Sequence, residues 1–99
     1  MVQEGITPEW VELHAIFRGR VQGVGFRATV KHYADKLGIS GCVKNLSDGN
    51  VELYGHGPRS VLELLVRNLE NDPGLGGIEG VTKDFGEPRR EFSDFKIVF

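Results

Sequence analysis

Chemistry is most concentrated between Gly19 and Arg27, where the chain reads Gly-Arg-Val-Gln-Gly-Val-Gly-Phe-Arg. Three glycines between Gly19 and Gly25 argue for a loop with unusual backbone angles. Such a loop lets successive N–H groups turn inward into a nest that holds an anion without any side-chain charge. A helix beginning near Phe26 would add its own unpartnered N–H groups to the same place. Arg27 follows at once, and its planar guanidinium can grip two phosphate oxygens while staying charged at any working pH. The competing reading is a tight structural turn followed by a solvated arginine. Arg18 and Arg20 fit that description better, although Arg18 can still contribute long-range attraction.

Asn45 is the second residue of interest. Alternation puts it on the same face as Val43 and opposite Lys44 and Leu46. A buried-side amide is costly unless it is fully used. It can cap the Ser47-Asp48-Gly49 turn, or it can offer an acceptor and a donor to a water and aim that water at an electrophile. His14, His32 and His56 have no metal-like or triad-like spacing, so each is expected to face solvent or to satisfy local hydrogen bonds. Asp48 is explained by the turn and Glu52 by a polar strand face. Cys42 is the only cysteine, which excludes an internal disulfide and any multi-cysteine metal site.

The charge distribution points the same way. No acidic residue occurs from Leu13 to Ala34, a stretch holding Arg18, Arg20, Arg27 and Lys31, while the whole chain carries a net charge of −2. An anion-attracting segment on an acidic background suits a small anionic ligand better than a long polyanion such as nucleic acid. The expected partner is therefore a small molecule, with no nucleic acid and no membrane, because no stretch is apolar for long enough to cross a bilayer. Residues 1–9 are polar and turn-prone without the apolar run of a signal peptide. They are expected to form a flexible tail ahead of one domain over 10–99, in a cytoplasmic, monomeric protein.

The elements that must position these residues follow from periodicity. Val11, Leu13, Ala15 and Phe17 alternate with mostly polar neighbours including Glu12, predicting a strand with one buried face. Phe26, Val30, Tyr33, Ala34 and Leu37 fall on one helical face, with Gly38 as the stop. Ile39 to Leu46 and Val51 to Tyr54 flank Asp48-Gly49, the signal of a hairpin. Val61, Leu62, Leu65, Val66 and Leu69 make a second amphipathic helix, starting either with Pro58 as its first residue or at a Ser60–Glu63 capping box. Ile78 to Phe85 and Phe95 to Phe99 close the chain as strands. The order strand, helix, strand, strand, helix, strand, with a short extra strand, predicts an α+β ferredoxin-like split βαβ sandwich: an antiparallel sheet with both helices on one face.

The block Gly19 to Arg27, with Gly41-Cys42-Val43-Lys44-Asn45 and then Gly49, Val51 and Gly57, resembles the two signature segments of the acylphosphatase family. The resemblance extends over about residues 11–99. It implies hydrolysis of carboxyl–phosphate anhydrides without metal or cofactor. Arg27 would bind the phosphoryl group and Asn45 would orient the attacking water. Backbone donors would come from the loop Arg20, Val21, Gln22, Gly23, Val24, Gly25 and Phe26. The resemblance also implies that the bound phosphate takes the water's proton. An acyl phosphate already has a good leaving group, so holding the phosphoryl group and placing water suffice. Three other readings are a binding or relay domain, an RNA-recognition module, against which the sequence argues, and a structural domain with no ligand. Similar domains bind carbamoyl phosphate at the front of larger hydrogenase-maturation proteins, and RNA-recognition modules share the element order but need more stacking aromatics than Tyr54.

Overall fold

The alternation in the first strand is realised as β1 (Trp10–Gly19) in a computed structural model that describes residues 10–99. The expected tail over residues 1–9 lies outside the described residues. Then follow α1 (Phe26–Leu37), β2 (Ser40–Asn45), β3 (Val51–Pro58), α2 (Arg59–Glu70), a short 3-10 turn (Pro73–Leu75), β4 (Ile78–Gly86) and β5 (Phe95–Val98). The sheet order is β4-β1-β3-β2-β5. Pairing is antiparallel across β4, β1, β3 and β2.

Both helices cover one face of this sheet. Leu13, Ala15 and Phe17 of β1, Val43 of β2 and Val51 and Leu53 of β3 meet Val30 and Ala34 of α1 and Leu62, Leu65 and Leu69 of α2, all with no exposed surface. Burying a side chain of this size contributes about 1.5–3 kcal/mol, so the two amphipathic faces hold the layers together. The α+β sandwich read from the element order is thus the observed architecture.

Four details depart from the sequence expectation. The added strand β5 pairs parallel to β2, so the sheet is mixed at that edge. β3 runs on to Pro58 instead of ending at Tyr54, because Trp10 to Leu13 need partners and find them in Pro58 to Gly55. Gly55 and Gly57 hide this extension from a hydrophobic pattern. A Cβ at Gly55 would sit 3.1 Å from Leu62 Cδ2 and 3.2 Å from Ile39 Cγ2, so a side chain there would press both neighbours back by a few tenths of an ångström.

The start of α2 differs for the same reason. Pro58 still pairs in the ladder, with φ −61° and ψ 140°, so it is the extended residue before the helix and not its first turn. No side chain caps this end, so Ser60 and Glu63 do not form the capping box. Finally, Glu12 lies on the sheet face opposite the helices yet is only 7% exposed, because the segment between β4 and β5 covers it.

Candidate active site

The glycine loop begins where β1 leaves the sheet. Gly19 has φ 116°, and the β1–β4 register shifts between Arg18 and Gly19. The Arg20 N–H then donates to the Gly77 carbonyl at 2.8 Å, and the side chain of Val21 is fully buried, which pins the start of the loop. Gly23 and Gly25 follow at φ 79° and 76°, in the left-handed region where a side chain costs about 1–2 kcal/mol. Gly25 is the N-cap of α1 and no side chain caps it. Among the described residues, no N–H from Val21 to Gly25 donates to a backbone carbonyl.

Val21, Gly23 and Gly25 of this loop border a pocket of about 190 Å³. Gly23, Gly25, Arg27 and Asn45 line it together, with Ile97 of β5 and Phe99 just after it forming an apolar side. The half-buried Arg27 is held loosely: Nη1 donates to the Val98 carbonyl at 3.4 Å, and the guanidinium carbon lies 4.7 Å from the centre of the Phe99 ring. Most of its five N–H donors therefore stay available to a ligand.

Asn45 resolves the choice left by its sequence position. The turn after β2 is capped by Asp48, whose carboxylate accepts from Asn50 N at 3.0 Å and Asn50 Nδ2 at 3.2 Å. Asn45 Oδ1 is buried and has no hydrogen-bond partner among the described residues. An unpaired buried carbonyl costs about 1–3 kcal/mol, which makes it a natural acceptor for a water or ligand in the pocket it lines.

The remaining site candidates sort clearly. Phe26, buried at the start of α1, packs edge-on against Phe17 and closes the pocket floor. Arg20 is exposed, its own N–H is occupied by Gly77, and like Gln22 and the half-exposed Val24 it is not among the pocket-lining residues. Sequence reasoning did not single out Ile97 and Phe99 as pocket residues, since their only signal was the alternation of the terminal strand. It also missed the side chain of Gln22, whose Nε2 donates to the Leu46 carbonyl at 2.8 Å and the Asn50 carbonyl at 2.9 Å.

The other titratable groups sit elsewhere. His14 pairs with Glu52 at 2.8 Å and His56 with Glu12 at 2.8 Å, both on the sheet face away from the helices, while His32 is exposed. Burial, with the Glu52 charge, pushes the Cys42 thiol up, so it stays protonated and unreactive at neutral pH. Among the described residues, no three His, Cys, Asp or Glu side chains come together to hold a metal.

Known proteins place this arrangement. The chain is 45% identical over 75 residues to an acylphosphatase of Thermus thermophilus, covering 76% of this chain and 85% of that protein. The crystal structure of an acylphosphatase from Bacillus subtilis matches with a TM-score of 0.78 at 32% identity, covering 90% of this chain and 99% of that one. A full-length HypF, in a phosphate- and nucleotide-bound form, matches with a TM-score of 0.85 at 30% identity over 96% of this chain, which spans only 12% of that longer one. The family model for acylphosphatase matches residues 13–97, and with a relative this similar over most of both sequences, the chain belongs to the acylphosphatase family.

Proposed function

We infer that the chain hydrolyses the carboxyl–phosphate bond of acyl phosphates, releasing a carboxylate and inorganic phosphate. The observation that carries this reading is the buried, unpartnered Asn45 Oδ1 beside Arg27 and the open amides of residues 21–25. Arg27 and the loop hold the phosphoryl oxygens, and Asn45 accepts a hydrogen bond from a water, turning its lone pair toward phosphorus. The water oxygen bonds to phosphorus as the bond to the acyl oxygen breaks, and the carboxylate leaves with that electron pair. The water's proton passes to a phosphoryl oxygen, so no side-chain base is required. The arginine and amides stabilise charge on the equatorial oxygens without having to reorganise.

On this reading the unit over residues 10–99 acts as a cytoplasmic monomer on a small molecule, without metal, cofactor or nucleic acid. Two observations support leaving out nucleic acid and membrane. The Tyr54 ring already stacks on His14 at 4.5 Å and lies under the Arg90 guanidinium at 3.9 Å, so it offers no free face to a base. No helix among the described residues is long and apolar enough to cross a membrane.

The deciding experiment is hydrolysis of benzoyl phosphate with a chelator present, beside the Asn45→Ala variant. Turnover insensitive to the chelator and reduced about a hundredfold in the variant is the expected result. A folded protein with no turnover above background would sink the enzyme reading. It would instead favour a domain that only binds an acyl or carbamoyl phosphate within a larger protein, an arrangement consistent with the HypF match.

A further inference from the structure

The loop from Val21 to Gly25 is flexible by composition, and among the described residues none of its N–H groups donates to a backbone carbonyl. It is tied at its start by Arg20 N–H to Gly77, and at its end by Thr29, whose N and Oγ1 both donate to the Gly25 carbonyl at 3.1 Å. Between these ends, the Gln22 side chain supplies its tether. Both hydrogens of its amide are used, one on Leu46 at 2.8 Å and one on Asn50 at 2.9 Å. Leu46 directly follows Asn45, and Leu46 N–H itself donates to the same Asn50 carbonyl at 2.8 Å. The amide therefore bonds both carbonyls of the turn directly after Asn45, where Leu46 N–H also donates to Asn50 and Gly49 N–H donates to Leu46 at 3.2 Å.

We propose that Gln22 is a positioning residue that sets the distance between the phosphate-holding loop and the water-holding Asn45 by clamping the loop to the end of the β2–β3 hairpin. This rests on the function proposed above and adds to it a residue that touches neither substrate nor water through its side chain. Two groups from separate segments of the chain must stand in register for in-line attack, and a displacement of about 1 Å can cost on the order of a hundredfold in rate. The loop cannot hold that register alone, because glycines leave its backbone soft. A pair of donor hydrogens is needed, since both targets are carbonyl oxygens. A carboxylate would repel them, and methionine fills the same volume without donating.

The test is the kinetics of Gln22→Met, alone and in the Asn45→Ala background, with inorganic phosphate as competitive inhibitor. The Met variant is expected to lose about tenfold or more in kcat, while the inhibition constant for phosphate moves less than about threefold, because Arg27 and the loop amides remain. In the Asn45→Ala background the same change is expected to cost less than about twofold, since the group being positioned is already gone. Gln22→Lys keeps donors for both carbonyls and is expected to retain kcat within about threefold of wild type. That variant decides the matter if Gln22→Met does not fold.

Unchanged kcat in a folded Gln22→Met would overturn the proposal. So would a full tenfold loss on top of Asn45→Ala, a phosphate affinity that falls in parallel with kcat, or a Lys variant as slow as one without donors. Each of these presupposes an active wild type. A wild-type protein that does not turn over benzoyl phosphate rejects the enzyme reading itself, which separates the two failures.

Discussion

Arg27 is held by one long hydrogen bond and an aromatic ring, and both contacts are weak. The Phe99 ring is 93% exposed, and a cation–π contact in such a setting is worth about 0.5–1 kcal/mol. The fold therefore gains little from this arginine, and under the proposed function its fork is the bidentate partner of the phosphoryl group. Arg27→Lys is expected to leave the melting temperature within about 3 °C of wild type. It should raise KM for benzoyl phosphate and lower kcat, for a loss of about tenfold or more in kcat/KM, because an ammonium is a point charge without the fork. Steady-state kinetics beside a thermal melt check this, and wild-type kinetics in the variant would remove Arg27 from the site. Arg27 and Asn45 were both legible in the sequence, one beside a glycine loop and the other on the inward face of a strand. The side-chain contacts of Gln22 and the place of Phe99 were not, since their partners lie 28 and 72 positions away and no spacing rule connects them.

At the scale of elements, the local signals worked where each strand or helix carries its own period. The 3.6-residue pattern placed α1 at Phe26–Leu37, and Asp48-Gly49 marked the β2–β3 hairpin. They failed where a neighbour decides. The parallel pairing of β5 depends on which edge is vacant, and the length of β3 depends on its pairing with β1. Glycines in this sheet are set by neighbours too. Gly41 of β2 faces Gly55 of β3, and a Cβ on Gly41 would run into the Tyr54 carbonyl, a backbone atom that cannot swing aside. Gly41→Ala is therefore expected to destabilise the fold by about 3 kcal/mol or more, measured by denaturant unfolding. A wild-type midpoint would mean that β2 and β3 do not approach this closely at Gly41. The same change should slow turnover by displacing Asn45 at the end of the strand.

Across the whole molecule, the two faces of the sheet are closed by different chemistry. The helices seal one face with apolar side chains. On the other, residues 87–94 cross back from β4 to β5 and are pinned to Glu12, which accepts from His56 Nε2 at 2.8 Å, from the Arg89 and Arg90 N–H groups at 3.1 Å each, and from Arg90 Nη1 at 3.2 Å. This segment delivers β5, and with it Ile97, Phe99 and the Val98 carbonyl, to the pocket. Burial pushes the Glu12 carboxyl up. The hydrogen bonds from His56, Arg90 and Arg89, with the Arg90 charge, outweigh that effect and hold it below its ordinary value of 4.5. A carboxyl depressed in the folded state gives stability that is present above its unfolded pKa and lost as pH falls through its folded one. Wild type should therefore lose stability on acidification from about pH 7 to about pH 3 more steeply than Glu12→Gln, which has no carboxyl there to protonate. The variant should also be less stable at pH 7, because a neutral amide is a poorer partner for Arg90 and for the two backbone donors. Urea unfolding at several pH values separates these expectations, and parallel acid limbs in the two proteins would show that Glu12 is not the group whose protonation loosens residues 87–94.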